Sequence, residues 1–178
     1  MPILTTARLS LRELTEDDAD FMLRLLNEPA YWRYIGDRGV RTTADARAYL
    51  ARGPLASYRR HGFGLWAVTL PAAGPPLGIC GLIKREILPD VDLGYAFLTE
   101  AWGRGYAYEA AAAVLEYGRR RLGLRRVVAV VDPANDRSIA VLRKLGLRFE
   151  RPITWPEDDT PLQLFATPAE DPPAPAGL

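Results

Sequence analysis

The sequence predicts an α/β fold of the α+β kind: a mixed central sheet of about six to seven strands, mostly antiparallel with one parallel splayed pair, flanked by about four helices. Two observations carry this. Three apolar runs, residues 63–70, 77–85 and 91–98, follow one another across proline- and glycine-bearing turns, the pattern of consecutive antiparallel strands. The third run leads through a glycine-rich turn into an alanine-rich helical stretch and then the wholly apolar run 127–131, a crossover whose two strands lie parallel with the helix on one face.

Taken in order, residues 8–14 alternate Leu9 and Leu11 with polar neighbours, as a half-exposed first strand does. Thr15 reads as an N-cap, and Glu16, Asp17 and Asp18 suit the positive end of a helix running to about Asn27, with Phe21, Met22, Leu25 and Leu26 as its apolar face. Pro29 is expected to close it. Residues 31–40 hold three aromatics and two arginines without periodicity and read as a loop, of the kind that commonly binds something. Thr42 or Thr43 caps a second helix expected to run to about Arg59, with Ala46, Tyr49 and Leu50 inward. His61 falls in a polar turn, where a surface role is expected. Residues 71–76 make a hairpin loop and Leu88-Pro89-Asp90 a second turn. After the crossover, Asn135 opens a last helix with Ile139, Leu142 and Leu145 inside and Gly146 at its C-terminal cap. Residues 147–150 and 162–166 pair as final strands around a loop at 155–161. Residues 1–167 are expected to form one domain and 168–178 a proline-rich flexible tail.

Composition narrows the function classes. The 178 residues carry a formal charge of +1, so no global field argues for nucleic acid or an anionic membrane as partner. One cysteine, Cys80, cannot form an internal disulfide, and its apolar neighbours place it in a buried strand. With one Cys and one His there is no zinc-type cluster, and no metal is expected. No apolar run approaches the roughly 18–20 residues of a membrane span, and a cytoplasmic protein is expected.

The chemistry concentrates at Trp102-Gly103-Arg104-Gly105-Tyr106-Ala107-Tyr108-Glu109, the turn between strand and helix. The first N–H groups of a helix lack internal partners and carry the positive end of its dipole. Glycines there let consecutive N–H groups converge on an anion. A tight turn with no ligand is the alternative. A P-loop would need Lys-Ser or Lys-Thr after its glycines, where Tyr106-Ala107 stands, and a dinucleotide fingerprint would need a glycine at Tyr108.

Trp102 through Ala107 resembles the R/Q-x-x-G-x-G/A acetyl-CoA motif of the GNAT N-acetyltransferase superfamily. Pro133-Ala134-Asn135-Asp136-Arg137-Ser138, together with Lys144-Leu145-Gly146-Leu147, resembles its second signature. Trp102 stands where Arg or Gln is usual and Ala107 where the last glycine is. Both changes, with the Gly-Tyr-Ala stretch followed by Glu109, resemble the RimJ/RimL-like branch, and the resemblance covers residues 8–166.

The resemblance implies the GNAT fold and an acetyl-CoA-dependent N-acetyltransferase acting on a primary amine: a protein N-terminus, a lysine or a small amine. It places the pantetheine arm on the backbone of Phe97 and Leu98 and the pyrophosphate on the stretch Trp102, Gly103, Arg104, Gly105, Tyr106 and Ala107. Asn135 would touch the arm, a role compatible with helix capping, and Ser138 is a further contact. The amine must lose a proton to attack. Asp92 aligns with an acidic position that serves as base, and Glu86 is the second candidate. The tyrosine that many members use to protonate the leaving thiolate is replaced by Leu142; Ser138 is the nearest hydroxyl by alignment, and water is the other source. The 31–40 loop, with Trp32, Tyr34 and Arg38, is implied on the acceptor side. Glu157, Asp158 and Asp159 would draw a cationic amine, whereas Arg33, Arg38 and Arg41 would draw an uncharged or acidic one. A non-catalytic acyl-CoA-binding module and, more remotely, a nucleotide-binding protein are the other classes. A monomer or homodimer is expected.

Overall fold

The computed structural model describes residues 1–71, 74–156 and 159–168. The expectations for Glu157, Asp158 and the tail from residue 169 lie outside them. One eight-stranded sheet organises the chain: β1 (Leu4–Thr5), β2 (Ser10–Glu13), β3 (Leu65–Thr69), β4 (Gly78–Ile83), β5 (Val91–Phe97), β6 (Val127–Val131), β7 (Arg148–Thr154) and β8 (Pro161–Ala166), in the order β1-β2-β3-β4-β5-β6-β8-β7. Among the described residues only β5 and β6 pair parallel. The strand beyond the expected six to seven is β1, two residues held by Leu4↔Leu11 and Thr5↔Ser10, too short to show alternation.

Six α-helices stand among the described residues where about four were expected: α1 (Ala19–Leu26), α2 (Pro29–Tyr34), α3 (Thr43–Arg52), α4 (Pro54–His61), α5 (Tyr106–Arg121) and α6 (Asp136–Lys144). Two prolines explain the difference. Pro29 does not merely end α1; it is the first residue of α2, where its missing N–H costs nothing, so residues 29–34 are helical and not loop. Pro54 likewise breaks the expected single helix into α3 and α4, with Gly53 between them. Caps fix the starts: Asp45 N–H donates to Thr42 Oγ1 (3.1 Å) while Thr42 N–H donates to Asp45 Oδ2 (2.9 Å). No described helix is long and apolar enough to cross a membrane.

Two cores form on opposite faces of the sheet. On one face α5 and α6 cover Trp66, Leu82, Leu93 and Phe165 through Ala111, Val114, Ile139 and Leu142. On the other, α1 and α3 cover Ala67 and Ile79 through Met22, Leu25, Ala46 and Leu50. Cys80 is fully buried in the first core, which pushes its thiol well above the usual range and leaves it a small apolar residue.

The feature that positions a site is where β5 and β6 part. Their register consists of Val91↔Val127 and Asp92↔Val128 alone. Beyond Asp92, β5 continues against β4 as far as Gly78↔Phe97, while β6 turns its other edge to β8 from Val128↔Ala166 to Val131↔Gln163. The sheet therefore opens a fork just past Asp92.

Candidate active site

A cleft of about 1690 Å³ runs through this fork. It is large for a single small ligand, since ordinary pockets span about 300–1,000 Å³. One half is walled by β5, the glycine turn, the start of α5, the end of β6 and the start of α6; the other is walled by α2, the end of α3, α4 and the end of β4.

In the first half, Gly103 and Gly105 both take left-handed φ, +73° and +77°, and Gly105 is the N-cap of α5. Nothing lies within 4 Å of where a Gly103 Cβ would be, so backbone conformation rather than crowding demands glycine. The turn is fastened from outside. Arg8 donates from Nη1 to the Arg104 carbonyl (2.9 Å) and from Nε to Glu109 Oε2 (2.7 Å), and its guanidinium lies 5.0 Å from the Tyr106 ring centre. Burial pushes Glu109 up, but the donors on Thr6 and Arg8 outweigh it and hold the carboxyl below its usual range. The Trp102 indole donates to the Phe97 carbonyl (2.9 Å), tying the turn to the end of β5, while Arg137 of α6 sits over its ring at 5.1 Å.

These contacts redistribute the roles expected of the backbone. Leu98 N–H donates to Leu77 O (2.9 Å), so Leu98 faces β4 and its side chain is buried in the α1–α3 core. In an antiparallel ladder, alternate residues turn their groups to opposite edges, which aims Tyr95 and Phe97 at the fork. With the Phe97 carbonyl taken by Trp102, the groups facing the opening are those of Tyr95 and the Phe97 N–H. Of the expected pair, Phe97 lines the cleft and Leu98 does not, and Tyr95 lines it as well. Gly103, Gly105, Tyr106, Ala107 and Trp102 line the cleft as expected, but the Arg104 side chain is exposed and outside it.

Asp92 lies at the fork, 2% exposed. Oδ2 accepts from Arg85 Nε (2.7 Å), and Oδ1 is buried without a hydrogen-bond partner. Burial pushes this carboxyl above its usual range, against the pull of the Arg85 guanidinium and, more weakly, the Val130 backbone amide. Glu86 sits in the exposed turn after β4 and does not line the cleft. Across the fork, Asn135 caps α6 by accepting from Ser138 N–H (3.1 Å) and also lines the cleft. Ser138 Oγ is 2.8 Å from the Tyr95 hydroxyl, which also reaches the Ser138 carbonyl at 3.2 Å. Leu142 is buried in the core.

In the second half, Tyr34 and Arg38 line the wall with Arg33, Arg52, Arg60 and His61. Trp32 does not. It is 43% exposed, its indole donates to the Leu26 carbonyl (2.8 Å), and Arg41 covers its ring while pairing with Asp37 (2.5 Å). Asp159 also lies outside the cleft, and Trp155 borders a separate groove beside Ile87. Among the described residues no group of acids, histidines or cysteines could hold a metal ion.

Residues 8–148 match the family described as the acetyltransferase (GNAT) domain. The chain belongs to this family. It is 31% identical over 153 residues to the uncharacterized protein YkkB of Bacillus subtilis (strain 168), covering 84% of this chain and 87% of the relative. It is 28% identical over 150 residues to the uncharacterized N-acetyltransferase YoaA of the same organism, covering 84% of each. The crystal structure of an acetyltransferase from Agrobacterium tumefaciens str. C58 superposes with a TM-score of 0.78 at 26% identity, over 93% of this chain and 94% of that one. The fold is shared at 18% identity and a TM-score of 0.78 with RimL, a ribosomal L7/L12 alpha-N-protein acetyltransferase in complex with coenzyme A, over 93% and 97%. GNAT acetyltransferases use acetyl-CoA, and this member is an acyltransferase.

Tyr95, Arg85, Arg8 and Arg60 escaped the sequence reading. The sole local signal was the parity of β5, which puts Tyr95 two residues past Leu93 on the face toward α6.

Proposed function

We propose that this enzyme moves an acetyl group from acetyl-CoA to a primary amine by direct attack, with Asp92 as base and Ser138, backed by Tyr95, as donor to the departing sulfur. The observation that carries the proposal is the meeting, at one fork, of a glycine cradle and a buried carboxylate with an unpartnered oxygen. The residues present fit the cofactor: the N–H groups from Gly103 to Ala107 suit a pyrophosphate, and the edge of β5 offers Tyr95 and Phe97 to an amide-bearing arm. Acetyl-CoA supplies an activated acyl group as its thioester.

The rest of the chemistry belongs to the chain. Asp92, raised by burial, is closer than an ordinary carboxyl to the pH at which a base is needed, and Oδ1 is the atom that would take the amine proton, directly or through water. Arg85 holds the carboxyl in place through the other oxygen. Burial pushes the Tyr95 phenol up to about 12 against the pull of its bond with Ser138, so it keeps its proton at neutral pH. Its single hydrogen can go to the Ser138 carbonyl or to Ser138 Oγ, and in the second arrangement the serine hydrogen is free to point into the cleft, where the superfamily tyrosine is missing at Leu142. The acceptor class spans protein N-termini, lysines and small amines, and the chain acts as a monomer or homodimer.

Calorimetric titration with acetyl-CoA tests the cofactor: micromolar binding by the wild type and none by Gly105→Trp is the expected result, and no wild-type binding would overturn the proposal. Leu142, standing where the superfamily tyrosine is missing, favours a second reading, a non-catalytic acyl-CoA sensor. Release of coenzyme A that rises with an amine panel separates the two.

A further inference from the structure

The acceptor half of the cleft carries an excess of positive charge that its own acids do not balance. Arg33 and Arg38 come from α2 and the turn after it, Arg52 ends α3, and Arg60 lies on α4; all four line the wall. None makes an ion pair with a described carboxylate, whereas Arg8, Arg12, Arg24, Arg41, Arg85, Arg120 and Arg126 all do. Against these four guanidiniums this half carries the single negative charge of Glu28, which accepts from the neutral Thr99 Oγ1 (2.5 Å), while Asp92 at the fork is held by Arg85. Lys84 spends its ammonium on the neutral Leu88 and Pro89 carbonyls (3.2 and 2.7 Å), which adds charge without compensation.

A near-neutral chain that gathers four unpaired guanidiniums on one concave wall creates a local positive potential, focused by the low-dielectric walls. The cost of holding like charges together is recovered when an anion enters, and the planar fork of arginine matches carboxylate and phosphate oxygens bidentately. A polyamine would meet the opposite of what it needs.

We infer that the acceptor is an amine bearing an anionic group, a carboxylate or a phosphate, which the arginines of α2, α3 and α4 hold while its amine reaches Asp92. This rests on the acetyltransferase reading above for the reaction, but the charge preference is a property of the wall alone.

Two measurements keep these apart. Direct calorimetric titration of the protein with glutamate, O-phosphoethanolamine and putrescine, in the presence of coenzyme A, reads the wall without turnover. One or both anionic amines are expected to bind at least tenfold more tightly than putrescine, with affinity falling as salt rises. Which of the two binds better tells carboxylate from phosphate. Steady-state kinetics with the same three amines then read acetyl transfer. Arg38→Glu/Arg60→Glu, both at exposed positions, should cost the anionic amines tenfold or more in binding and KM while leaving the melting temperature and the acetyl-CoA Kd unchanged. Preference for putrescine in the wild type overturns the inference. So does a variant that weakens acetyl-CoA instead, because the arginines would then hold cofactor phosphates. Anionic-amine binding without turnover would leave the wall as inferred and defeat the reaction.

Discussion

On the α5–α6 side of the cleft the lining charges are Arg137, Asp132 and Asp136, and Asp132 is occupied locally by the Ala134 N–H (2.7 Å). On the α2–α4 side the lining is arginine-rich and unpaired. If both halves receive anions, as proposed, they do so by different means: one with backbone N–H groups fixed by two left-handed glycines, the other with long side chains on three helices. Backbone dipoles cost no side-chain entropy and suit a ligand whose phosphates never change. Guanidiniums can be exchanged one at a time, and they suit a site whose ligand differs from relative to relative.

The largest test of this contrast is Asp92→Asn, which sits between the halves. Loss of a positioned base is expected to lower kcat by about 10²–10⁴-fold. The acetyl-CoA Kd should stay within twofold, and a tenfold change in that Kd would break the division. Gly103→Val comes next. The Cβ would touch nothing in the protein, so the expected weakening of acetyl-CoA binding, about tenfold or more, combines the roughly 1–2 kcal/mol cost of left-handed φ with whatever room the two valine methyls take from the ligand. Affinity for the anionic amine should not move. Tyr95→Phe removes the hydroxyl that meets both Ser138 Oγ and the Ser138 carbonyl, each hydrogen bond worth about 0.5–1.5 kcal/mol, and should slow kcat by up to about tenfold with KM unchanged. Adding Ser138→Ala to it should cost little more, since the two act as a unit.

The smallest effect is on stability. Asp18 is pushed up by burial, but its bonds with Arg12 and Thr15 outweigh that, so its pKa falls on folding. It stabilises above about pH 4, the unfolded value, and that contribution fades as pH falls through its lowered folded value. Asp92, raised on folding, does the opposite: its contribution is present below about pH 4 and is lost as pH rises through the raised value. In urea titrations from about pH 2 to about pH 7, Asp18→Asn should therefore lose stability relative to the wild type as pH rises to about 4, and Asp92→Asn should gain it as pH rises above about 4. Parallel curves would mean that the cleft carboxylate is no different from one held by an ion pair elsewhere in the fold.

What could be read in advance follows the same division. The crossover, the glycine turn and the Asn135 cap depend on neighbours within about four residues, and local spacing exposes them. Pro29 and Pro54 were visible but ambiguous, since proline ends one helix and begins another with equal ease. Tyr95 meets Ser138 across 43 residues, and Arg52 and Arg60 join Arg33 only through tertiary packing, so no window of sequence contains the site they form. Trp32 failed for a related reason: an aromatic in an aperiodic stretch says nothing about which way it points, and here Arg41 and the Leu26 carbonyl claim it.

Thr6 and Arg8 close on Glu109 and Arg104 from 96 to 103 residues away, through Thr6 Oγ1 (2.6 Å), Arg8 N–H (3.0 Å) and the Arg8 guanidinium. Opening the segment before β2 therefore breaks four hydrogen bonds to the cradle and the helix it begins. If a ligand seated on the cradle, as proposed, binds the closed form alone, a hundredfold excess over its Kd makes opening about 2.7 kcal/mol harder. Amide exchange at Arg8 and Leu9, far along the sequence from any ligand contact, would then slow by about a hundredfold. Trimming the first eight residues would register as a loss of affinity rather than as a frayed end.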